Sequence, residues 1–119
     1  MQEPTFLILT ALASGPKHGY AVLQEVERLS DGAVVLRAGT LYTALDRLAT
    51  EGMIEVEREE VVDARLRRYY RITGAGIERL GAEVRRLRHH AAVATRSLKV
   101  GSLGGLSGPG GLGADGAPA

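Results

Sequence analysis

The chain has 119 residues, 45% of them hydrophobic, and 15 Lys and Arg against 14 Asp and Glu give a net charge of +1. That suits one packed domain and no more. The absence of Cys excludes disulfides and thiolate metal sites, and no apolar run approaches the roughly 20 residues of a bilayer span. The first residues lack the charged region, apolar run and cleavage site of a secretory signal, so the expected location is cytoplasmic.

Phe6, Leu9, Leu12 and Ala13 recur at helical spacing, and Gly15-Pro16 ends that first helix. A second helix is expected from Lys17 or His18. Its apolar stripe is Val22, Leu23, Val26 and Leu29, and Ser30-Asp31-Gly32 closes it. Val34-Val35-Leu36 is too short and too β-branched for a helix and reads as a strand stub or an extended connector. Thr40 suits the N-cap of a third helix, because its hydroxyl can accept an orphan backbone N–H. Leu41, Ala44, Leu45 and Leu48 share one face of that helix. Thr43, Asp46, Arg47 and Thr50 share the other, Tyr42 lies on the flank, and Gly52 ends it.

Ile54-Glu55-Val56-Glu57-Arg58 alternates as a half-buried strand. Its partner runs from Leu66 to Ile72, with Tyr70 and Ile72 inward, Arg67, Tyr69 and Arg71 outward, and a hairpin tip near Asp63-Ala64. From Thr73 a long helix begins. Ile77, Leu80, Val84, Leu87, Ala91, Ala94 and Leu98 alternate three- and four-residue steps, an a/d pattern sustained for about three heptads. Its length exceeds what a small domain can cover, so a partner helix is the simpler cover for the stripe. After Val100 the chain turns glycine-rich and has no face to bury, which predicts a disordered tail.

A short helix with a polar outer face beside a basic, aromatic hairpin is the arrangement of a winged helix-turn-helix, and it points to DNA. The expected fold is mainly α with a small β-hairpin: a winged helix-turn-helix over residues 1–73, a dimerisation helix over 74–99 and the tail over 100–119. Net charge says little here, because Glu55, Glu57, Glu59, Glu60 and Asp63 precede Arg65, Arg67, Arg68 and Arg71 and cancel them.

Candidate DNA contacts follow from position. Thr43 and Arg47 face outward from the third helix, where Arg47 can pair with guanine or hold a phosphate. Thr40 and Tyr42 offer hydroxyls near a helix start, where backbone N–H groups favour an anion. Lys17, His18 and Tyr20 open the second helix, which crosses the DNA backbone in this docking mode, and Arg37 precedes the third. Arg65, Arg67 and Arg68 can reach phosphates or a minor groove from the hairpin. Each has a plainer reading: Thr40 as a cap, Tyr20 and Tyr42 as packing, His18 as a cap, Asp46 and Arg47 as solvated charges. Glu55, Glu57 and Glu59 can pair with the hairpin arginines.

The segments Leu9-Thr10-Ala11-Leu12, Gly15-Pro16-Lys17-His18-Gly19-Tyr20, Gly39-Thr40-Leu41-Tyr42-Thr43-Ala44-Leu45-Asp46-Arg47-Leu48, Gly52-Met53-Ile54-Glu55 and Arg67-Arg68-Tyr69-Tyr70-Arg71-Ile72-Thr73 together resemble the PadR-type transcriptional regulators. The resemblance implies a homodimeric bacterial repressor on a pseudo-palindromic operator. It implies the short branch of the family, with one C-terminal dimerisation helix, and release from DNA by a small, often aromatic, effector near the dimer interface. The chain has no Trp, so an aromatic clamp built on tryptophan is unavailable, and the glycine-rich tail departs from the family pattern.

No Ser-His-Asp, Cys-His or paired-carboxylate constellation can be drawn, so no enzyme activity, cofactor or metal is expected. His89 and His90 read as exposed side chains without further ligands at metal spacing. Two other readings of the fold remain: a winged-helix module that docks a protein, and an RNA binder, which would lack an aromatic stacking platform.

Overall fold

Glu3 and Pro4 open the first helix, α1 (Glu3–Ala13), an acidic side chain and a proline both suiting a helix N-terminus. The computed structural model describes residues 1–107, with side chains described through residue 102. Thr5, Ile8, Leu9, Ala11 and Leu12 form the buried face of α1. Phe6 is only half-buried and Ala13 is exposed, so the inner face is turned from the one the spacing predicts. Thr5, Ile8, Leu9 and Leu12 follow the i, i+3, i+4, i+7 rule, and Phe6 lies a helical step of about 100° away.

After Gly15, Lys17 and His18 form a short strand, β1 (Lys17–His18), which the sequence pattern does not announce. Helix α2 (Gly19–Leu29) follows, and Asp31 and Gly32, both with positive φ, end it. Residues 34–37 carry no strand and connect to α3 (Ala38–Thr50), which starts two residues before Thr40. Arg37 occupies its N-cap and offers no side-chain cap, so Thr40 lies inside the first turn. Gly52, at φ 78°, reverses the chain after α3 as a left-handed C-terminal residue should.

Strands β2 (Ile54–Val62) and β3 (Arg65–Ile72) form the hairpin, and β1 adds to its other side, giving the antiparallel order β1-β3-β2. Lys17 pairs with Tyr70 and His18 with Tyr69, tying the start of α2 to the hairpin. Ile54, Tyr70 and Ile72 from the sheet join Ile8, Leu9, Leu12, Val22, Val26, Leu41, Leu45 and Leu48 from the helices in one core. Each fully buried Leu or Ile there contributes roughly 1.5–3 kcal/mol. Val56, expected to be half-buried, is exposed, because the core ends at Ile54 on that strand.

Helix α4 (Gly74–Ser107) starts on a two-way cap. The Thr73 hydroxyl accepts from Gly76 N at 3.1 Å and donates to the Gly52 carbonyl at 2.6 Å. Gly76 sits against the Met53 carbonyl, and a Cβ there would lie 2.7 Å from Ile72 Cγ1, so glycine is required by space. Leu80 packs on the core, and the Glu83 carboxylate lies 3.7 Å from the Met1 amino group.

The chain divides into two compact units, Met1–Glu83 and a second beginning at Val84. The first turns of α4, through Glu83, therefore belong to the same compact unit as the winged helix. In the second unit Leu87, Val93, Leu98 and Val100 are exposed on the helix. That helix continues to Ser107, past the expected tail boundary at residue 100. Extending an existing helix adds one hydrogen bond per residue fixed, so a glycine costing about 1 kcal/mol need not stop it. The rest of the expected tail lies outside the described residues.

Candidate nucleic-acid interface

Helix α3 buries Leu41, Leu45 and Leu48 and leaves Tyr42, Thr43, Asp46, Arg47 and Thr50 exposed, the division its periodicity predicts. Tyr42 is 46% exposed, yet its position is fixed from below. Its ring end rests on Gly19, the first residue of α2, where a Cβ would lie 2.7 Å from Tyr42 Cζ. No signal in the sequence reports this contact, since glycine after a cap residue has many causes.

The hairpin turns at Asp63 and Ala64, with φ 54° and 63°. Two successive left-handed residues are what a two-residue turn of type I′ needs to match the twist of its strands. Between Val56 and Arg58 the register slips, leaving Glu57 as the extra residue of a β-bulge. The slip changes which charges meet.

Arg68 pairs with Glu59 at 3.0 Å, Arg71 with Glu55, and Arg58 with both Glu57 at 2.7 Å and Glu60 at 2.9 Å. Of the expected pairings of the acidic strand with Arg65, Arg67 and Arg68, the one to Arg68 forms and those to Arg65 and Arg67 do not. Among the described residues, no carboxylate lies within ion-pair distance of either. The Arg58 guanidinium, 3.9 Å from the Tyr69 ring centre, stacks on Tyr69, whose edge meets the His18 ring. Tyr69, expected to point outward, is half-covered by this stack.

His18 caps α2 with its side chain, Nδ1 accepting from Ala21 N at 3.4 Å. Burial, and then the nearby Arg67 charge, hold its pKa below the usual imidazole value. A neutral ring keeps the acceptor lone pair the cap requires. Burial also raises the Tyr70 phenol, with Tyr42 and Asp46 adding to the rise and Arg68 opposing it. That places Asp46 beside the aromatic floor of the cleft between α3 and the hairpin.

The candidate residues fall into two groups with one exception. His18, Tyr20, Tyr42, Arg65, Arg67 and Arg68 line a cleft of about 710 Å³ between α3 and the wing. Arg37, Thr40, Thr43 and Arg47 line a recess on the other flank of α3, against Gln2 and Thr5 of the N-terminal segment. Arg47 does not project freely with Thr43: its guanidinium donates to Thr5 Oγ1 at 2.8 Å and reaches Glu51 at 3.5 Å.

The exception is Lys17. Its ammonium donates to the Ala11 carbonyl at 2.7 Å, Ser14 Oγ at 2.8 Å and the Gly15 carbonyl at 3.3 Å. Three donors meet three acceptors at the carbonyl end of α1, where orphan groups and the helix dipole favour a cation, so a phosphate finds no free donor there. Lys17 is a C-terminal cap of α1, so a phosphate contact there would require it to exchange one of these partners.

Comparison with known proteins matches this arrangement. A model of the PadR-like transcriptional regulator family matches residues 8–82. The transcriptional regulator Rv3488 of Mycobacterium tuberculosis is 41% identical over 69 residues, covering 58% of this chain and 61% of that protein. The chain spans 61% and 64% of the length of the curated relatives it matches. A transcriptional regulator from Clostridium thermocellum has the same fold, with a TM-score of 0.67 and 27% identity over 77% of this chain and 89% of that one. Bacillus subtilis PadR, solved in complex with operator DNA, aligns with a TM-score of 0.63 and 20% identity, over 70% of this chain and 47% of that one. Among the described residues no helix is long and apolar enough to cross a membrane. With a family model covering most of the winged-helix unit and its capping turns, the chain belongs to the PadR-like transcriptional regulators, a family of regulators and not of enzymes.

Proposed function

We propose that this regulator binds operator DNA as a homodimer in the cytoplasm, represses transcription there, and is released by a small, aromatic effector. The observation that carries the DNA reading is the cleft between α3 and the wing, where Arg65 and Arg67, neither in an ion pair with a described carboxylate, stand beside the exposed side chains of Tyr20 and Tyr42. Free cations and phenol donors on two sides of one groove suit a phosphate backbone passing between them. The uncapped first turn of α3 adds backbone N–H groups that favour an anion, next to the Thr40 hydroxyl. His18 contributes as the cap that fixes α2 at the floor of the cleft, and Arg68 as a wing cation already shared with Glu59. On the other flank, Arg37, Thr43 and Arg47 approach the duplex, with Arg47 first leaving Thr5. Bacillus subtilis PadR, a protein of the same fold, has been solved in complex with operator DNA, which supports DNA as the partner here.

For the dimer, the exposed stretch Leu87, Ala91, Ala94 and Leu98 offers a seam to a second copy, with Ile77 and Val84 continuing the same heptad spacing, while Leu80, expected in that seam, packs on the core of its own unit. Two copies would place α3 in major-groove faces about 10–10.5 base pairs apart, or a multiple of that. The test is a titration of the protein against the DNA upstream of its own gene, beside a scrambled duplex, at two salt concentrations. Salt-sensitive binding that prefers the native fragment is expected. The double change Arg65→Ala with Arg67→Ala should make the log-log salt slope shallower by about one for each phosphate no longer neutralised. Weak and equal binding to both duplexes would overturn the reading.

A further inference from the structure

The DNA reading leaves one charged residue of α3 without a role. Asp46 lies one turn beyond Tyr42 on the edge of α3 that faces the wing, exposed, and lines the same cleft as Tyr20, Arg65, Arg67 and Arg68. Two of the arginines around it are engaged elsewhere. Arg68 is held by Glu59, and Arg47, next in sequence, by Thr5 and Glu51. Asp46 itself makes no ion pair with a described residue, although arginines line the same walls.

A carboxylate in a cleft that takes up a polyanion weakens binding to every sequence unless it meets a hydrogen-bond donor. Phosphates and sugars of DNA supply none. In the major groove the donors are exocyclic amino groups, N4 of cytosine and N6 of adenine. Adenine carries the N7 acceptor beside its amino group, which repels the second carboxylate oxygen, whereas cytosine presents its amino group with no acceptor of its own beside it in that groove. The carboxylate is therefore matched to cytosine.

We propose that Asp46 is a specificity-determining residue that accepts a hydrogen bond from cytosine N4 in each half-site and so selects cytosine at one position. The proposal rests on α3 being the DNA-reading helix. Tyr42, fixed against Gly19 one turn away, sets the depth at which Asp46 meets the base edges.

The test is selection from a randomised duplex pool by the full chain, by Asp46→Asn and by Asp46→Ala, at one salt concentration, followed by sequencing of the bound fraction. The wild-type protein should enrich cytosine at one fixed position per half-site, roughly five- to hundredfold over the other bases. Asp46→Asn should move that preference to adenine, because an amide donates to N7 and accepts from N6. Asp46→Ala should lose the preference there and keep it elsewhere. Identical base preferences for all three proteins would overturn the proposal, including the case in which Asp46→Ala only binds every sequence more tightly. No enrichment by any of the three would instead overturn the DNA reading beneath it.

Discussion

Replacing Gly19 by Ala tests whether Tyr42 is held in place by the residue beneath it. The added Cβ would lie 2.7 Å from Tyr42 Cζ and 2.9 Å from Cε1, about 1 Å inside ordinary contact. Tyr42 is the mobile partner, since its ring end is a half-exposed side chain and Gly19 is backbone at the start of α2. Swinging the ring away costs about 0.5–1.5 kcal/mol of rotamer strain, and alanine in place of glycine returns up to about 1 kcal/mol of helix propensity. Stability should therefore change by less than about 1 kcal/mol. Operator affinity should fall much further, because a hydroxyl bonded to a charged phosphate is worth about 1.5–3 kcal/mol, or roughly ten- to hundredfold in Kd. Thermal unfolding measures the first effect and fluorescence anisotropy on a labelled operator the second. In a Tyr42→Ala background the same change at Gly19 should have almost no further effect on affinity. Equal losses in the two backgrounds, or full affinity of Gly19→Ala alone, would refute the coupling.

Because its folded pKa lies below the ordinary 6.5, His18 favours the neutral form on folding, so its contribution is complete above that value and lost as pH falls through the folded pKa. His18→Asn keeps a cap acceptor without a titration, and its melting temperature should decline less between about pH 7 and 5; superimposable profiles would discount the cap. Thr73→Ala removes the hydroxyl joining Gly52 to Gly76 and should destabilise the fold by about 1 kcal/mol in urea unfolding, with no change expected in DNA preference. Leu87→Glu would set two carboxylates across the proposed helix seam, a burden of about 3–5 kcal/mol, and should shift sedimentation from dimer to monomer. A dimer that persists would move the seam away from Leu87.

The residues legible in the sequence were those whose role is set by period. Leu41, Leu45 and Leu48 repeat at helical spacing, and Tyr70 and Ile72 at strand spacing, so the core face of α3 and of β3 could be read directly. Asp63-Ala64 was legible as a turn because two strand patterns flank it. What stayed hidden depends on single contacts. A strand as short as β1 has no period, and its existence follows from pairing with Tyr69 and Tyr70 far along the chain. One extra residue at Glu57 sets Glu59 opposite Arg68 where an unbroken alternation would set it opposite Arg67. Lys17 looked free because the carbonyls that hold it, from Ala11 to Gly15, become neighbours only when α1 ends. Asp46 was visible as a polar position on α3, but its place in a cleft of arginines required the wing to be folded against it.

The charge pattern of the wing also accounts for how a chain of net charge +1 can serve a polyanionic ligand. Arg58, Arg68 and Arg71 are each neutralised by a glutamate of β2, so they stiffen the hairpin while adding little long-range attraction. Exposed pairs of this kind are worth at most about 1 kcal/mol and are easily exchanged. Arg65 and Arg67, near the turn, make no ion pair with a described carboxylate, so in the proposed complex they are the wing cations most available to phosphates. Non-specific affinity grows with the number of phosphates neutralised, and specificity with contacts to base edges. On the proposed docking, a wing with few unpaired cations beside a helix carrying Thr43 and Asp46 should lower binding to random DNA more than binding to the operator. If the wing docks as proposed, the acidic strand would contribute to discrimination, which salt-dependence measurements on Glu55, Glu57 and Glu59 variants would test.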